Sequence, residues 1–215
     1  PGENYLLSFS PNGTYTCYFK DKNWWLYNLK TQSTVSIVAP TGSEWVSTDL
    51  KYITRPHVFG MKGWSDNGEY LLLQDEFDIY QFHIKTNKLK RITNGRESST
   101  HFTVEGSNIK QIGNDNYNGW ALTEINSAND LIVSSRNATT KVQQFKLVST
   151  SNTLIPVANN DTKSDELRRV NNVVYVYREQ SHNESPRIVL FKNGVNKVLF
   201  ESNTHDKKFN QGKVE

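Results

Sequence analysis

An all-β fold assembled from repeated four-stranded units is what this 215-residue sequence predicts, and three observations predict it. The stretch 8–37 recurs without gaps as 63–92, a shift of 55 positions (63 − 8). Ser10 falls on Ser65, Asn12-Gly13 on Asn67-Gly68, Tyr15 on Tyr70, Tyr27 on Phe82, Leu29 on Ile84, Lys30-Thr31 on Lys85-Thr86 and Ile37 on Ile92. A repeat of this size marks an array architecture. Within each copy, short aromatic and β-branched runs alternate with turn-forming residues. Asn-Gly pairs follow the first run of both copies, where a residue with positive φ would turn the chain back in a hairpin.

In the first copy the strands are expected at 6–9, 15–19, 24–29 and 35–38. The turns between them are Ser10-Pro11-Asn12-Gly13, Lys20-Asp21-Lys22-Asn23 and Lys30-Thr31-Gln32-Ser33. Strand alternation puts Trp25, Tyr27 and Leu29 on one face, matched by Tyr80, Phe82 and Ile84 in the second copy; these six form the expected blade core. The opposite face of the first copy is also apolar, with Trp24 and Leu26. A sheet that is apolar on both faces must be covered on both, which stacked blades of a β-propeller achieve. A looser third copy carries strands near 130–133, 142–148 and 153–157, and a fourth runs through 167, 173–178, 187–191 and 197–200. The expected architecture is therefore a partial β-propeller of about four antiparallel blades over 1–202, near 5–40, 57–94, 118–158 and 165–202. Segments 41–56 and 95–117, rich in Ser, Asn and Gly, read as surface loops.

Composition narrows the function. A single cysteine, Cys17, excludes an intrachain disulfide and a thiolate metal site, and its strand position predicts a buried structural thiol. The net charge of +3 is too mild for an electrostatic nucleic-acid footprint. Lys85, Lys88, Lys90 and Arg91 read as a solvated, lysine-guarded strand edge, and Lys207-Lys208 as a second exposed pair. No apolar run is long enough for a membrane-spanning helix, and nothing resembles a signal peptide. With Pro1 first and Met61 the sole methionine, a cut or processed chain is expected.

Catalytic patterns are missing. No Gly-x-Ser-x-Gly elbow occurs, and Gly42-Ser43-Glu44 and Gly106-Ser107-Asn108 have the wrong spacing. His57, His83, His101, His182 and His205 are scattered without metal-ligand spacing, so no metal or cofactor is expected. The densest acidic group is Asp75, Glu76 and Asp78. Converging at a blade tip, these three could attract a cation or a substrate amine and gate access to it. A solvated turn is the plainer reading. Sequons at Asn12, Asn137, Asn160 and Asn183 matter only in a eukaryotic secretory host.

The order of segments resembles the propeller of bacterial prolyl oligopeptidase family serine peptidases. The likeness runs through Ser10-Pro11-Asn12-Gly13-Thr14-Tyr15, Asn23-Trp24-Trp25-Leu26-Tyr27, Arg55-Pro56-His57-Val58-Phe59-Gly60 and Gly63-Trp64. It continues in Leu73-Gln74-Asp75-Glu76-Phe77-Asp78-Ile79-Tyr80, in Ile92-Thr93-Asn94-Gly95-Arg96, in Ser202-Asn203 and in Phe209 to Glu215. It is most specific between Gly60 and Gly95. Tyr80 and Gln211 stand where the family tends to have tryptophan, and the paired glutamates of dipeptidyl-peptidase relatives are missing.

The resemblance implies a non-catalytic propeller portion that limits access of short peptides to an α/β-hydrolase domain. That domain would belong to the same parent and would carry the Ser, Asp and His of the triad. The resemblance also implies a periplasmic or secreted location and a linker over 203–215. No catalytic residue is assigned within this chain. The expected partners are that hydrolase domain, the parent's peptide substrate, and a second copy held through open blade faces; neither nucleic acid nor membrane is expected. The rival readings are a stand-alone propeller module binding a peptide or glycan, and a scaffold.

Overall fold

The computed structural model describes residues 7–47, 57–105, 109–112, 122–137, 139, 143–148, 151, 153–157, 162–171 and 173–205. Arg55-Pro56, Lys207-Lys208, Phe209 to Glu215 and most of the expected 203–215 linker lie outside them. The chain is all-β, a partial β-propeller of largely antiparallel sheets, two of them four-stranded meanders in chain order, and no α-helix occurs among the described residues. It divides into two compact units, Pro1–Ala128 and Asn129–Glu215.

In the first unit, β1 (Leu7–Phe9), β2 (Tyr15–Lys20), β3 (Asn23–Asn28) and β4 (Thr34–Ile37) form one antiparallel sheet in chain order. A short pair, β5 (Val46–Ser47) and β6 (His57–Val58), leads to the second sheet. That sheet comprises β7 (Met61–Ser65), β8 (Tyr70–Gln74), β9 (Ile79–His83) and β10 (Lys88–Arg91). The exposed Lys88 and Lys90 lie on β10, at the sheet's edge. The segment expected as a loop from 95 to 117 instead holds a 3-10 turn at Arg96–Ser98, then β11 (Thr100–Val104) and β12 (Ile109–Ile112). β12 pairs with β13 (Leu122–Ile125), and β13 lies parallel to β7, matching Ile125 with Ser65. The second sheet thus has six strands, and residues expected to open the third blade extend the second. The physical reason is that β7 offers an unpaired row of backbone groups that another strand can satisfy.

The second unit holds β14 (Leu131–Asn137), β15 (Gln143–Val148) and β16 (Leu154–Pro156), hydrogen-bonded in that order. They are followed by β17 (Lys163–Asn171), β18 (Val174–Ser181), β19 (Glu184–Lys192) and β20 (Val195–Glu201), a meander of long strands.

The repeat is conformational as well as sequential. Ser10 Oγ accepts from the Tyr15 N–H at 2.9 Å and donates to Asn12 Oδ1 at 2.8 Å. Ser65 Oγ does the same with the Tyr70 N–H at 2.9 Å and Asn67 Oδ1 at 2.7 Å. Only the glycines, Gly13 (φ 63°) and Gly68 (φ 67°), are left-handed in these turns. The expected two-residue primed turn therefore does not form at Asn12-Gly13, because the serine hydroxyl closes a longer loop. Positive φ at two central residues occurs instead at Asp21 (51°) and Lys22 (61°), between β2 and β3. Gln32 and Asn87, again 55 apart (87 − 32), are both left-handed in the turn that follows the third strand.

Packing in the first unit sets the face that sequence alone left open. Directly paired residues share a side, so Phe9, Tyr18, Trp25 and Tyr27 line one face of the first sheet, and Cys17, Trp24, Leu26 and Ile37 the other. The second of these faces is the buried one, packed against Trp64, Leu71, Leu73, Tyr80, Phe82 and Ile84 of the second sheet. Trp64 Nε1 donates across to Ser8 Oγ at 2.9 Å. Tyr80, Phe82 and Ile84 are core residues. Trp25 and Tyr27 are only half-buried and Leu29 is 43% exposed, which corrects the expected core of the first blade to Trp24 and Leu26. The cause is that, among the described residues of this unit, the second sheet packs on the Trp24 and Leu26 side of the first. Cys17 is fully buried, and burial pushes its thiol pKa far up, which leaves it inert.

In the second unit Tyr175, Tyr177, Val189 and Phe191 of the last sheet pack against Ile132, Phe145 and Val157. Their alternates Val174, Val176 and Leu190 are half-buried on the opposite face.

Candidate functional site

The turn between β8 and β9 is Asp75-Glu76-Phe77-Asp78, and its carboxylates fall into two classes. Asp75 and Asp78 are fully buried. Asp75 Oδ1 accepts from the Phe77 N–H at 2.9 Å and the Asp78 N–H at 2.6 Å, which shapes the turn from inside. Asp75 Oδ2 accepts from Tyr80 Oη at 2.9 Å, from Arg96 Nη2 at 2.5 Å and from Ser43 Oγ. Burial alone would raise the Asp75 pKa. The hydrogen bonds from Ser43, the two backbone amides and Tyr80 outweigh it and hold the carboxyl below its ordinary value. Burial, with the Asp75 charge adding to it, pushes the Tyr80 phenol up to about 12.

Asp78 anchors the next segment. Its Oδ1 accepts from Thr93 Oγ1 at 2.8 Å and the Gly95 N–H at 2.6 Å, while Arg91 Nε lies 3.3 Å from Oδ2. Thr93 Oγ1 in turn accepts from the Ile79 N–H at 2.9 Å. Gly95 is required here for space. A Cβ on it would sit 2.1 Å from the Thr100 carbonyl oxygen and 2.7 Å from that of Phe77.

These bonds deliver Arg96 to the surface. Its guanidinium bridges Asp75 and Ser43 Oγ (2.9 Å) and lies 5.2 Å from the Phe77 ring centroid. Phe77 also stacks on His101, with centroids 4.8 Å apart, and His101 Nδ1 reaches the Glu76 carbonyl oxygen at 2.8 Å. Beside Arg96 is an open cleft of about 380 Å³, lined by Gly42, Ser43, Glu44, Val46, Ser47, Phe59, Glu76 and Arg96. Both glutamates are exposed, so the rim is acidic and the floor holds one charge-paired cation on a wall with apolar Val46 and Phe59.

Of the three carboxylates expected at a blade tip, only Glu76 can meet a ligand. Asp75 and Asp78 are neither solvated nor free; their oxygens are consumed by the fold. Sequence reasoning missed Ser43, Glu44, Phe59 and Arg96. Gly95-Arg96 directly after a strand was a readable signal, since a glycine forced by crowding fixes its neighbour. Ser43 is held by Asp75, Tyr80 (2.8 Å) and Arg96, a static polar clamp with no imidazole among those partners. No cluster of three or more metal-ligating side chains occurs among the described residues.

No protein-family model matches this sequence, and no curated protein does. Solved structures do match in shape. One is TolB from Acinetobacter baumannii, at 11% identity and a TM-score of 0.41, covering 91% of this chain and 43% of that one. A puromycin-hydrolyzing peptidase from Mycobacterium tuberculosis matches at 11% identity and TM-score 0.46, covering 94% and 29%. An acylaminoacyl peptidase from Pyrococcus horikoshii matches at 10% identity and TM-score 0.31, covering 94% and 39%. The chain spans less than half the length of each of these three proteins.

Proposed function

We propose that this chain is the non-catalytic propeller portion of a prolyl oligopeptidase-like serine peptidase, gating the access of short peptides to an α/β-hydrolase domain of the same parent protein. The supporting observation is that the segment most like that family, 60–95, contributes Glu76 to the cleft and holds the buried turn that fixes the cleft's Arg96 in place. Asp75, Asp78 and Gly95 position Arg96, and Glu76 stands on the rim. Selection here is by exclusion and by charge: the wall limits entry to short peptides, and Glu44 and Glu76 favour an ammonium end. A periplasmic or secreted location goes with this reading. The gene beyond the Glu215 codon tests it. A Gly-x-Ser-x-Gly with downstream Asp and His supports the proposal, and a stop codon overturns it. The 215-residue chain itself is expected to turn over neither a fluorogenic proline-containing peptide nor a nitrophenyl ester, because Ser43 is clamped by Asp75, Tyr80 and Arg96 with no imidazole among those partners to serve as a proton shuttle.

A second reading, a stand-alone module for a peptide or glycan, is favoured by one observation. The described residues that line the cleft all lie within 42–96, a single stretch of this chain. Calorimetric titration with short peptides discriminates: binding by the chain alone that weakens in Glu76→Gln favours the module.

A further inference from the structure

Five Asn-Gly pairs occur in this sequence, at Asn12, Asn67, Asn94, Asn118 and Asn193, and the fold treats them unequally. Such a pair carries its own nucleophile. The glycine amide nitrogen adjoins the asparagine carboxamide along the chain, and glycine has no Cβ to hinder its approach. Attack needs that N–H free of other bonds and the carboxamide free to turn.

In the first two pairs both groups are held. The Gly13 N–H donates to the Ser10 carbonyl oxygen at 2.9 Å, while Asn12 Oδ1 accepts from Ser10 Oγ at 2.8 Å and from the Thr14 N–H at 3.0 Å. The Gly68 N–H donates to the Ser65 carbonyl oxygen at 2.8 Å. Asn67 Oδ1 accepts from Ser65 Oγ at 2.7 Å and the Glu69 N–H at 3.1 Å, and its Nδ2 donates to Glu69 Oε2 at 3.2 Å. After Asn94 it is the nucleophile that is locked, since the buried Gly95 donates its N–H to Asp78 Oδ1 at 2.6 Å. Asn118 lies outside the described residues. Asn193-Gly194 differs from all of these. It forms the two-residue turn between β19 and β20, with φ of 50° and 80°, closed by the pairing of Lys192 with Val195. Both residues are exposed, and no hydrogen bond among the described residues holds the Asn193 carboxamide or the Gly194 N–H.

We propose that Asn193 is a site of spontaneous covalent modification, deamidation to an aspartyl or isoaspartyl residue. The Gly194 amide gives its proton to hydroxide, and its nitrogen bonds to Asn193 Cγ. The Cγ–Nδ2 bond breaks, Nδ2 takes a proton from water and leaves as ammonia, and a five-membered succinimide remains. Water then opens the ring at either carbonyl. Opening at Cγ restores the main chain as aspartate, and opening at the main-chain carbonyl routes the chain through Cβ and Cγ. Water is the sole co-reactant, and nothing is oxidised or reduced. Either product puts a carboxylate where a neutral amide stood. The isoaspartyl product also lengthens the two-residue turn by one backbone atom, so the Lys192–Val195 pair and the outer strand β20 lose register first.

Storage of the 215-residue chain at mildly alkaline pH, once folded and once in concentrated urea, is the test. Digestion at acid pH with mass spectrometry reads conversion at each asparagine, and labelling by an isoaspartyl methyltransferase reads the rearranged product. In the folded chain Asn193 should convert about 10–100-fold faster than Asn12, Asn67 or Asn94, because those pairs must first break the bonds that hold them. In urea the four rates should converge. Ser65→Ala, which removes the hydroxyl holding Asn67, should speed conversion there and leave Asn193 unchanged. Should that variant fail to fold, Ser10→Ala, read at Asn12, replaces it. A folded-state rate at Asn193 no greater than at Asn12 or Asn67 overturns the proposal. So does the same ranking persisting in urea, which would place the difference in the flanking residues and not in the fold.

Discussion

The first and second sheets are built from one sequence pattern, yet the first buries one side of it and the second buries both. Phe9 is 36% exposed while Trp64, its counterpart, is fully buried and hydrogen-bonded to Ser8. Tyr27 is half-buried where Phe82 is core. The turns after their second strands diverge as well. Lys20-Asp21-Lys22-Asn23 reverses through two left-handed residues, with Trp25 Nε1 donating to the Lys20 carbonyl oxygen at 2.9 Å. Asp75-Glu76-Phe77-Asp78, at the same repeat positions, reverses around two buried carboxylates. One turn is local and complete in itself. The other is a hub that ties Ser43, Tyr80, Thr93, Gly95 and Arg96 together. Repeat identity thus specifies a shape, and the hub copy adds to it the cleft beside Arg96.

This contrast can be broken by substitution. The largest effect should come from the core: Trp64→Ala is expected to cost about 3–5 kcal/mol, and Leu29→Ala, at an exposed position following β3 of the first sheet, under about 1 kcal/mol. Denaturant titration at low concentration measures both, and equal losses would erase the difference between the sheets. Asp75→Ala should follow, at about 3 kcal/mol or somewhat more, since it strands the buried Tyr80 hydroxyl and unpairs Arg96. Lys20→Ala, at the equivalent position of the local turn, should stay within about 0.5 kcal/mol.

The hub should also be acid-sensitive. Asp75 has a folded pKa below its unfolded one, so its stabilisation is fully present above the unfolded value of about 3.9. It is lost as pH falls through the lower folded value. Thermal midpoints between pH 5 and 2 should therefore fall more steeply in the natural chain than in Asp75→Asn, and parallel slopes would remove Asp75 from the account. The smallest effect is expected at Lys88→Ala, an exposed edge position, within about 0.5 kcal/mol.

Strand positions, the serine-closed turns and the left-handed Gln32 and Asn87 follow from local chemistry, because hydroxyl-to-amide bonds and φ preferences act within a few residues. For that reason the 55-residue shift was legible as a repeat of four-stranded sheets. The buried face was not. Period-2 alternation sorts Trp24 from Trp25 onto opposite sides, but both sides are apolar, and burial depends on which of them a neighbouring sheet covers. The cleft was half legible: the acidic turn drew notice, yet the partners that neutralise Asp75 stand 32 positions before it at Ser43 and 21 after it at Arg96. A carboxylate in sequence reads as solvated charge. Whether it becomes a buried anchor or a ligand contact is decided by donors that only the folded chain brings within hydrogen-bonding distance.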